Sequence, residues 1–86
     1  MSESYSNLFT DENTNGLNGT KTIIFPWPAK RLTVTNDSGT TALEWKFKNS
    51  HSWATLGPSE TVSMDLSIKQ MIVRSVGAKY RIWALG

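Results

Sequence analysis

Short runs in which apolar and polar residues alternate fill the chain after residue 20, and this period of two constrains the fold more than any other feature. The clearest run lies at residues 42–48, where one face would carry Leu43, Trp45 and Phe47 and the other the intervening charged residues. Such alternation is typical of an antiparallel strand with one buried face. Turn residues separate seven runs, at residues 20–25, 31–36, 42–48, 53–56, 60–66, 70–76 and 79–85. Their number and spacing predict an all-β fold, a small antiparallel β-sandwich of about seven strands.

Local signals refine this prediction. Pro26-Trp27-Pro28 removes two backbone donors, so the first run should end at a sheet edge or a corner. Asn36-Asp37-Ser38-Gly39 has the residues of a tight turn. The two closing runs around Gly77 are predicted to pair as a β-hairpin. The inward positions of all the runs predict a core made of Leu32, Val34, Leu43, Trp45, Phe47, Val62, Met64, Val73 and Ile82.

The first twenty residues differ in composition, being rich in Ser, Asn, Thr and Gly. So polar a segment cannot bury enough surface to fold alone. We therefore expect residues 1–20 to form an extended N-terminal arm, flexible or ordered by a partner, and residues 21–86 to form the β-sandwich domain. Its acidic residues give this arm a charge of −3, whereas the nine basic residues, all beyond it, leave the domain at +5. This distribution is typical of an ordinary solvated surface, and the alternative is that the basic body docks on an acidic surface.

Several kinds of chemistry are disfavoured by the composition. There is no cysteine, and His51 is the single histidine, so thiolate and histidine-rich metal sites are excluded. A Ser-His-Asp triad would have to use His51, which lies in a polar turn. No Gly-rich phosphate loop, secretory signal or long apolar span is present. We predict a protein that is not an enzyme, has no cofactor and does not enter a membrane.

A domain confined to residues 21–86 is small, and domains of this size usually need a disulfide, a metal or a partner for stability. Without cysteine, association is the remaining choice, and the four tryptophans support it because aromatic residues are enriched at interfaces. We expect a homo-oligomer, with a trimer favoured over a dimer or larger ring. The candidate partner-binding residues are Leu8, Phe9, Pro26, Trp27, Pro28 and Trp53.

Two binding functions remain as alternatives. Trp27 and Trp53 lie near turns and could stack on sugar rings, as in a carbohydrate-binding module. Lys46 and Lys48 interleave with aromatic residues, as in modules that bind single-stranded nucleic acid. However, the alternation places those lysines opposite Trp45 and Phe47, which disfavours nucleic acid as a ligand.

Several motifs carry a resemblance to a known class, among them Asn36-Asp37-Ser38-Gly39, Leu56-Gly57-Pro58-Ser59-Glu60-Thr61 and, most specifically, Tyr80-Arg81-Ile82-Trp83-Ala84. Over residues 30–86 the chain resembles small β-sandwich virion structural proteins of tailed bacteriophages, which include head-decoration proteins. The resemblance implies a capsid decoration or stabilising protein, made in the host cytoplasm and located in the virion. It implies binding to the major capsid protein or other virion proteins, with a neck, tail or fibre position as the alternative.

Overall fold

The computed structural model describes residues 5–86, and these residues form an all-β antiparallel fold. It has four strands, β1 (Leu8–Asn36), β2 (Leu43–Lys46), β3 (Ala54–Leu56) and β4 (Thr61–Leu85), hydrogen-bonded in the order β1-β4-β2-β3. The all-β antiparallel prediction is therefore confirmed. The strand count differs from seven because β1 and β4 run without a break through what the turn signals divided into separate runs.

Both long strands bend, so each contributes to two layers. Residues 31–36 of β1 pair with β4 on both sides, with residues 61–65 and with residues 80–85. This double pairing builds a first layer in the order 61–65, 31–36, 80–85 and 8–13. The second layer has the order 17–24, 70–76, β2 and β3. One hydrophobic cluster draws residues from both layers, so the core lies between them.

The bend from the second layer to the first occurs where β1 and β4 cross at a pair of glycines. Gly16 and Gly77 have φ of 97° and 100°, which L side chains rarely adopt, and a Cβ at Gly16 would lie 2.7 Å from the Gly77 carbonyl oxygen. The hairpin predicted around Gly77 is wrong. Residues 70–76 and 80–85 do not pair with each other, because Gly77 bends one strand whose two halves each pair with β1.

The N-terminal arm predicted over residues 1–20 is also corrected. Residues 8–20 belong to β1 and pair with β4 from Leu8↔Leu85 to Thr20↔Arg74. The prediction relied on the polar composition, but this edge segment needs few apolar side chains because only its alternate residues face the core. The first four residues of the predicted arm lie outside the described residues.

The corner predicted at Pro26-Trp27-Pro28 is confirmed. The register jumps there from Ile24↔Gln70 to Ala29↔Ile68, so β1 carries extra residues opposite β4. This excess is what bends a strand. The chain passes between the layers at this point, at the end of the fold away from Gly77.

Five of the nine predicted core residues are fully buried: Leu32, Val34, Leu43, Val73 and Ile82. The remaining four, Trp45, Phe47, Val62 and Met64, pack against the core but are only partly buried. Val62 and Met64 lie on the outermost strand of the first layer, and Phe47 follows the end of β2. Alternation identified the correct face of each strand but could not show which strands lie at an edge.

Candidate binding surfaces

The space between the layers is filled by the protein's own side chains. The largest fully buried ones are Tyr80, Phe25, Leu32, Leu43, Met71, Ile82, Val34, Val73 and Asn36. In residues 5–86, every buried side-chain nitrogen and oxygen atom has a hydrogen-bond partner. Binding must therefore use the outer surfaces and the open end of the fold.

The outer surface of the first layer carries an apolar patch. Leu8 is 63% exposed and pairs with Leu85, and Trp83, two residues from Leu85 on the same face, is 54% exposed. Directly opposed and diagonal side chains in a sheet lie within contact range. We call Leu8, Trp83 and Leu85 the outer patch.

A shallow groove of about 120 Å³ borders the outer patch, lined by Trp83, Arg81, Thr33 and Thr35. The two threonine hydroxyls are hydrogen-bonded across the sheet, Thr33 to Ser63 and Thr35 to Thr61, each at 3.0 Å. In each pair one hydroxyl donates to the other, so one O–H donor per pair is left for a ligand. Arg81 is held by Asp37 through hydrogen bonds of 2.8 and 3.0 Å.

A larger cleft, of about 480 Å³, opens at the end of the fold where the chain turns at the prolines. Its volume lies within the range of roughly 300–1,000 Å³ typical of ligand sites. We call it the basic cleft, and its walls are Pro28, Phe47, Lys48, Ser67, Ile68, Lys69 and Gln70.

Neighbouring contacts fix the aromatic wall of the basic cleft. The centroid of the Phe47 ring lies 5.2 Å from that of the Trp45 ring and 6.5 Å from that of the His51 ring, which it meets edge-on. The Gln70 side-chain amide donates to the Phe47 carbonyl at 3.1 Å. The cleft therefore has a preformed apolar wall joined to β4 by a hydrogen bond.

The charges of the basic cleft are not balanced by neighbouring acids. The ion pairs of residues 5–86 are Lys21–Asp11, Arg31–Asp65, Arg74–Glu44 and Arg81–Asp37, and none involves Lys48 or Lys69. The cleft lining contains both lysines and no carboxylate. An anionic ligand would be attracted to it.

The predicted partner-binding residues do not form one site. Pro28 lines the basic cleft, and Leu8 belongs to the outer patch. Phe9 points inward and meets Phe25 edge-on at 5.5 Å. Trp27 is partly buried against the core, and the neighbouring Pro26 is exposed.

Trp53 is partly buried, and cations lie over its ring. Lys46 Nζ is 4.3 Å and the Arg74 guanidinium carbon 4.1 Å from the ring centroid. Arg74 is in turn paired with Glu44 at 2.9 Å, and this hydrogen bond lowers the pKa of the Glu44 carboxyl. The ring is thus used within the fold, which argues against Trp53 as a sugar-stacking platform.

Asp11, one of the acidic residues of the segment predicted to be an arm, links the two layers. It accepts a hydrogen bond of 2.8 Å from the Tyr80 hydroxyl and pairs with Lys21 at 3.2 Å. Burial, and then this contact with a carboxylate, raises the pKa of Tyr80 above that of a free tyrosine. The negative charge of Asp11 is therefore compensated by Lys21 of the same domain.

Sequence reasoning missed Trp83 and Lys69 as surface residues. Trp83 alternates with the buried Ile82 and Ala84, so the period of two could have placed it outside. Lys69 lies between two of the predicted runs, and its proximity to Lys48 depends on the pairing of β4 with β2.

Within the described part of the chain, no group of three or more His, Cys, Asp or Glu side chains is placed to hold a metal ion. The same residues contain no helix long and apolar enough to cross a membrane.

Neither a protein-family model nor a curated protein matches this sequence. Solved structures do share its fold. A protein of unknown function from Vibrio parahaemolyticus has a TM-score of 0.55 at 18% identity, with 79% of this chain and 66% of that protein covered. This chain thus spans just under two thirds of that relative's length.

Two further similar structures describe the architecture more closely. A de novo designed double-stranded β-helix has a TM-score of 0.55 at 10% identity and covers 94% of this chain and 100% of its own. The cupin domain of an XRE-family transcriptional regulator from Enterobacter cloacae has a TM-score of 0.53 at 18% identity, with 91% and 94% covered. The chain folds as a small double-stranded β-helix of the kind found in cupin domains. At these identities the likeness is one of fold.

Proposed function

We propose that this protein is a non-catalytic structural subunit of a larger assembly, and that it associates with copies of itself through the outer patch. The observation that carries the proposal is the filled interior: large apolar side chains from both layers occupy the space where a domain of this architecture could enclose a ligand. What is left for recognition is the outer surface and the open end of the two-layer body.

The outer patch supports self-association. Its two most exposed members, Leu8 and Trp83, are large apolar side chains on the outer face of the first layer. Exposed apolar patches of this kind mark interaction sites, and tryptophan is enriched among the residues that dominate interface energetics. A homo-oligomer, with the trimer still the favoured form, would cover them.

The most specific setting we propose is the virion of a tailed bacteriophage, as a capsid decoration or stabilising protein that contacts the major capsid protein. This part rests on the resemblance of residues 30–86 to virion structural proteins. A two-layer body with a filled core and an exposed apolar patch is compatible with a particle subunit present in many copies. A neck, tail or fibre position is the alternative within the same class.

Quantitative mass spectrometry of purified particles tests the virion role. We expect the protein in many copies per particle, in fixed proportion to the major capsid protein and retained through density-gradient purification. Its absence from particles, with the protein found only in the soluble host fraction, would contradict the role.

A carbohydrate-binding function is the second candidate, and the groove beside the outer patch favours it. Trp83 offers a half-exposed ring, and the hydroxyl pairs of Thr33 and Thr35 offer donors beside it. This site differs from the predicted one, which used Trp27 and Trp53. The two functions differ in what covers Trp83, a saccharide in one case and another protein surface in the other.

A further inference from the structure

The basic cleft lies at the end of the fold where the chain turns at the prolines. We propose that it docks an acidic segment of a partner protein, one that presents carboxylates together with an apolar side chain. The inference rests on the proposed role in an assembly and adds the chemistry of the second contact. The lining of the basic cleft combines three apolar side chains, Pro28, Phe47 and Ile68, with two lysines, Lys48 and Lys69.

The positive charge of the cleft indicates a partner with negative charge. Four of the nine basic residues form ion pairs with acids of the same chain, and the two cleft lysines are not among them. Two uncompensated cations on one rim raise the local concentration of anions and disfavour a basic partner.

The size and apolar walls of the cleft select a peptide segment over a simple anion. At about 480 Å³ it is far larger than an inorganic ion, and a bare anion would leave Phe47 and Ile68 uncovered. An apolar side chain on those walls, flanked by carboxylates at the lysines, would satisfy both halves of the surface. Ser67 and Gln70 add polar groups that can bond a peptide backbone.

The chain's own acidic segment is a poor occupant. Asp11 is engaged by Tyr80 and Lys21, and both Asp11 and Glu12 are held in β1 by pairing with β4. These residues pair at Ile82 and Arg81, in the first layer, whereas the cleft is lined by residues 67–70. Asp11 and Glu12 are therefore held away from the cleft, Glu3 lies outside the described residues, and we assign the occupant to another protein.

Titration of the full chain with a synthetic peptide, acetyl-Glu-Phe-Asp-Leu-Glu-amide, tests the inference by amide chemical shifts. We expect shifts confined to Phe47, Lys48 and residues 67–70. K48E and K69E should each weaken binding by about fivefold or more, since each replaces attraction by repulsion. K79E is the matched control, because Lys79 is exposed, is outside the ion pairs and adjoins Asp37 at the opposite end of the fold. K79E should change affinity by less than twofold.

Three outcomes would overturn the inference: no saturable binding, equal binding of the peptide with Gln and Asn in place of its acids, or equal loss in K79E. K48Q and K69Q replace the charge-reversed variants if either of those fails to fold. Self-association is measured on the same samples. If the peptide does not bind but the protein still forms its oligomer, the docking site alone is refuted. If the protein neither binds the peptide nor self-associates, the assembly role is refuted as well.

Discussion

Replacing Asn36 with alanine is expected to lower the free energy of unfolding by about 3 kcal/mol, because buried carbonyl groups would lose their partner. Asn36 is fully buried, and its Nδ2 lies 2.8 Å from the Thr41 carbonyl oxygen and 3.1 Å from those of Leu56 and Gly57. Its Oδ1 accepts the Ser38 amide at 2.9 Å. One side chain thus ties the end of β1 to the turn that follows it and to the end of β3.

Chemical denaturation of N36A and of N49A measures this effect. Asn49 is an exposed turn residue whose side chain makes none of the hydrogen bonds described, so N49A should stay within about 0.5 kcal/mol of the parent. N36D should be at least as damaging as N36A, because it sets a carboxylate against carbonyl oxygens. A cost below about 1 kcal/mol for N36A would show that water replaces these contacts without loss.

Truncating Ile82 to alanine should cost about 2–5 kcal/mol, whereas truncating its larger neighbour Trp83 should cost less than about 1 kcal/mol in the monomer. Ile82 is fully buried between the layers, and Trp83 points out of the first layer with 54% of its surface exposed. A fully buried side chain leaves a cavity when it is removed, and an exposed one does not.

Thermal or denaturant unfolding of I82A and W83A, at concentrations where the protein is monomeric, measures the difference. The two positions are adjacent, so changes in strand propensity largely cancel in the comparison. A greater loss for W83A than for I82A would mean that the faces of β4 are inverted.

Side chains on a strand change face at every residue, so the alternation of apolar and polar residues could identify buried positions from the sequence. It did so correctly for Leu32, Val34, Leu43, Val73 and Ile82. Residues 36–39 have the composition of a tight turn, and Asn36 accepts the Ser38 amide there, as asparagine does in such turns. Its contacts with Leu56 and Gly57 were not foreseen, since they depend on how β3 meets the end of β1.

The larger errors have the same origin in long-range pairing. Residues 8–13 have the composition of a polar arm, and the strand they pair with lies some seventy positions later in the sequence. The inward-facing Asp11 is hydrogen-bonded by the Tyr80 hydroxyl, a contact that no local pattern shows. The sequence around Gly77 is typical of a turn, but the segments on either side of Gly77 pair with β1 and not with each other. The basic cleft joins residues 47–48 with 67–70, which no local pattern connects.

Sedimentation equilibrium of the full chain at micromolar concentration tests self-association through the outer patch. We predict an oligomer for the wild-type protein, a folded monomer for W83E, and an unchanged oligomer for V76E. Val76 is the matched control, since it is an exposed apolar residue of the same strand, 86% exposed, in the second layer. A wild-type protein that stays monomeric, or an oligomer that W83E leaves intact, would contradict association through the outer patch.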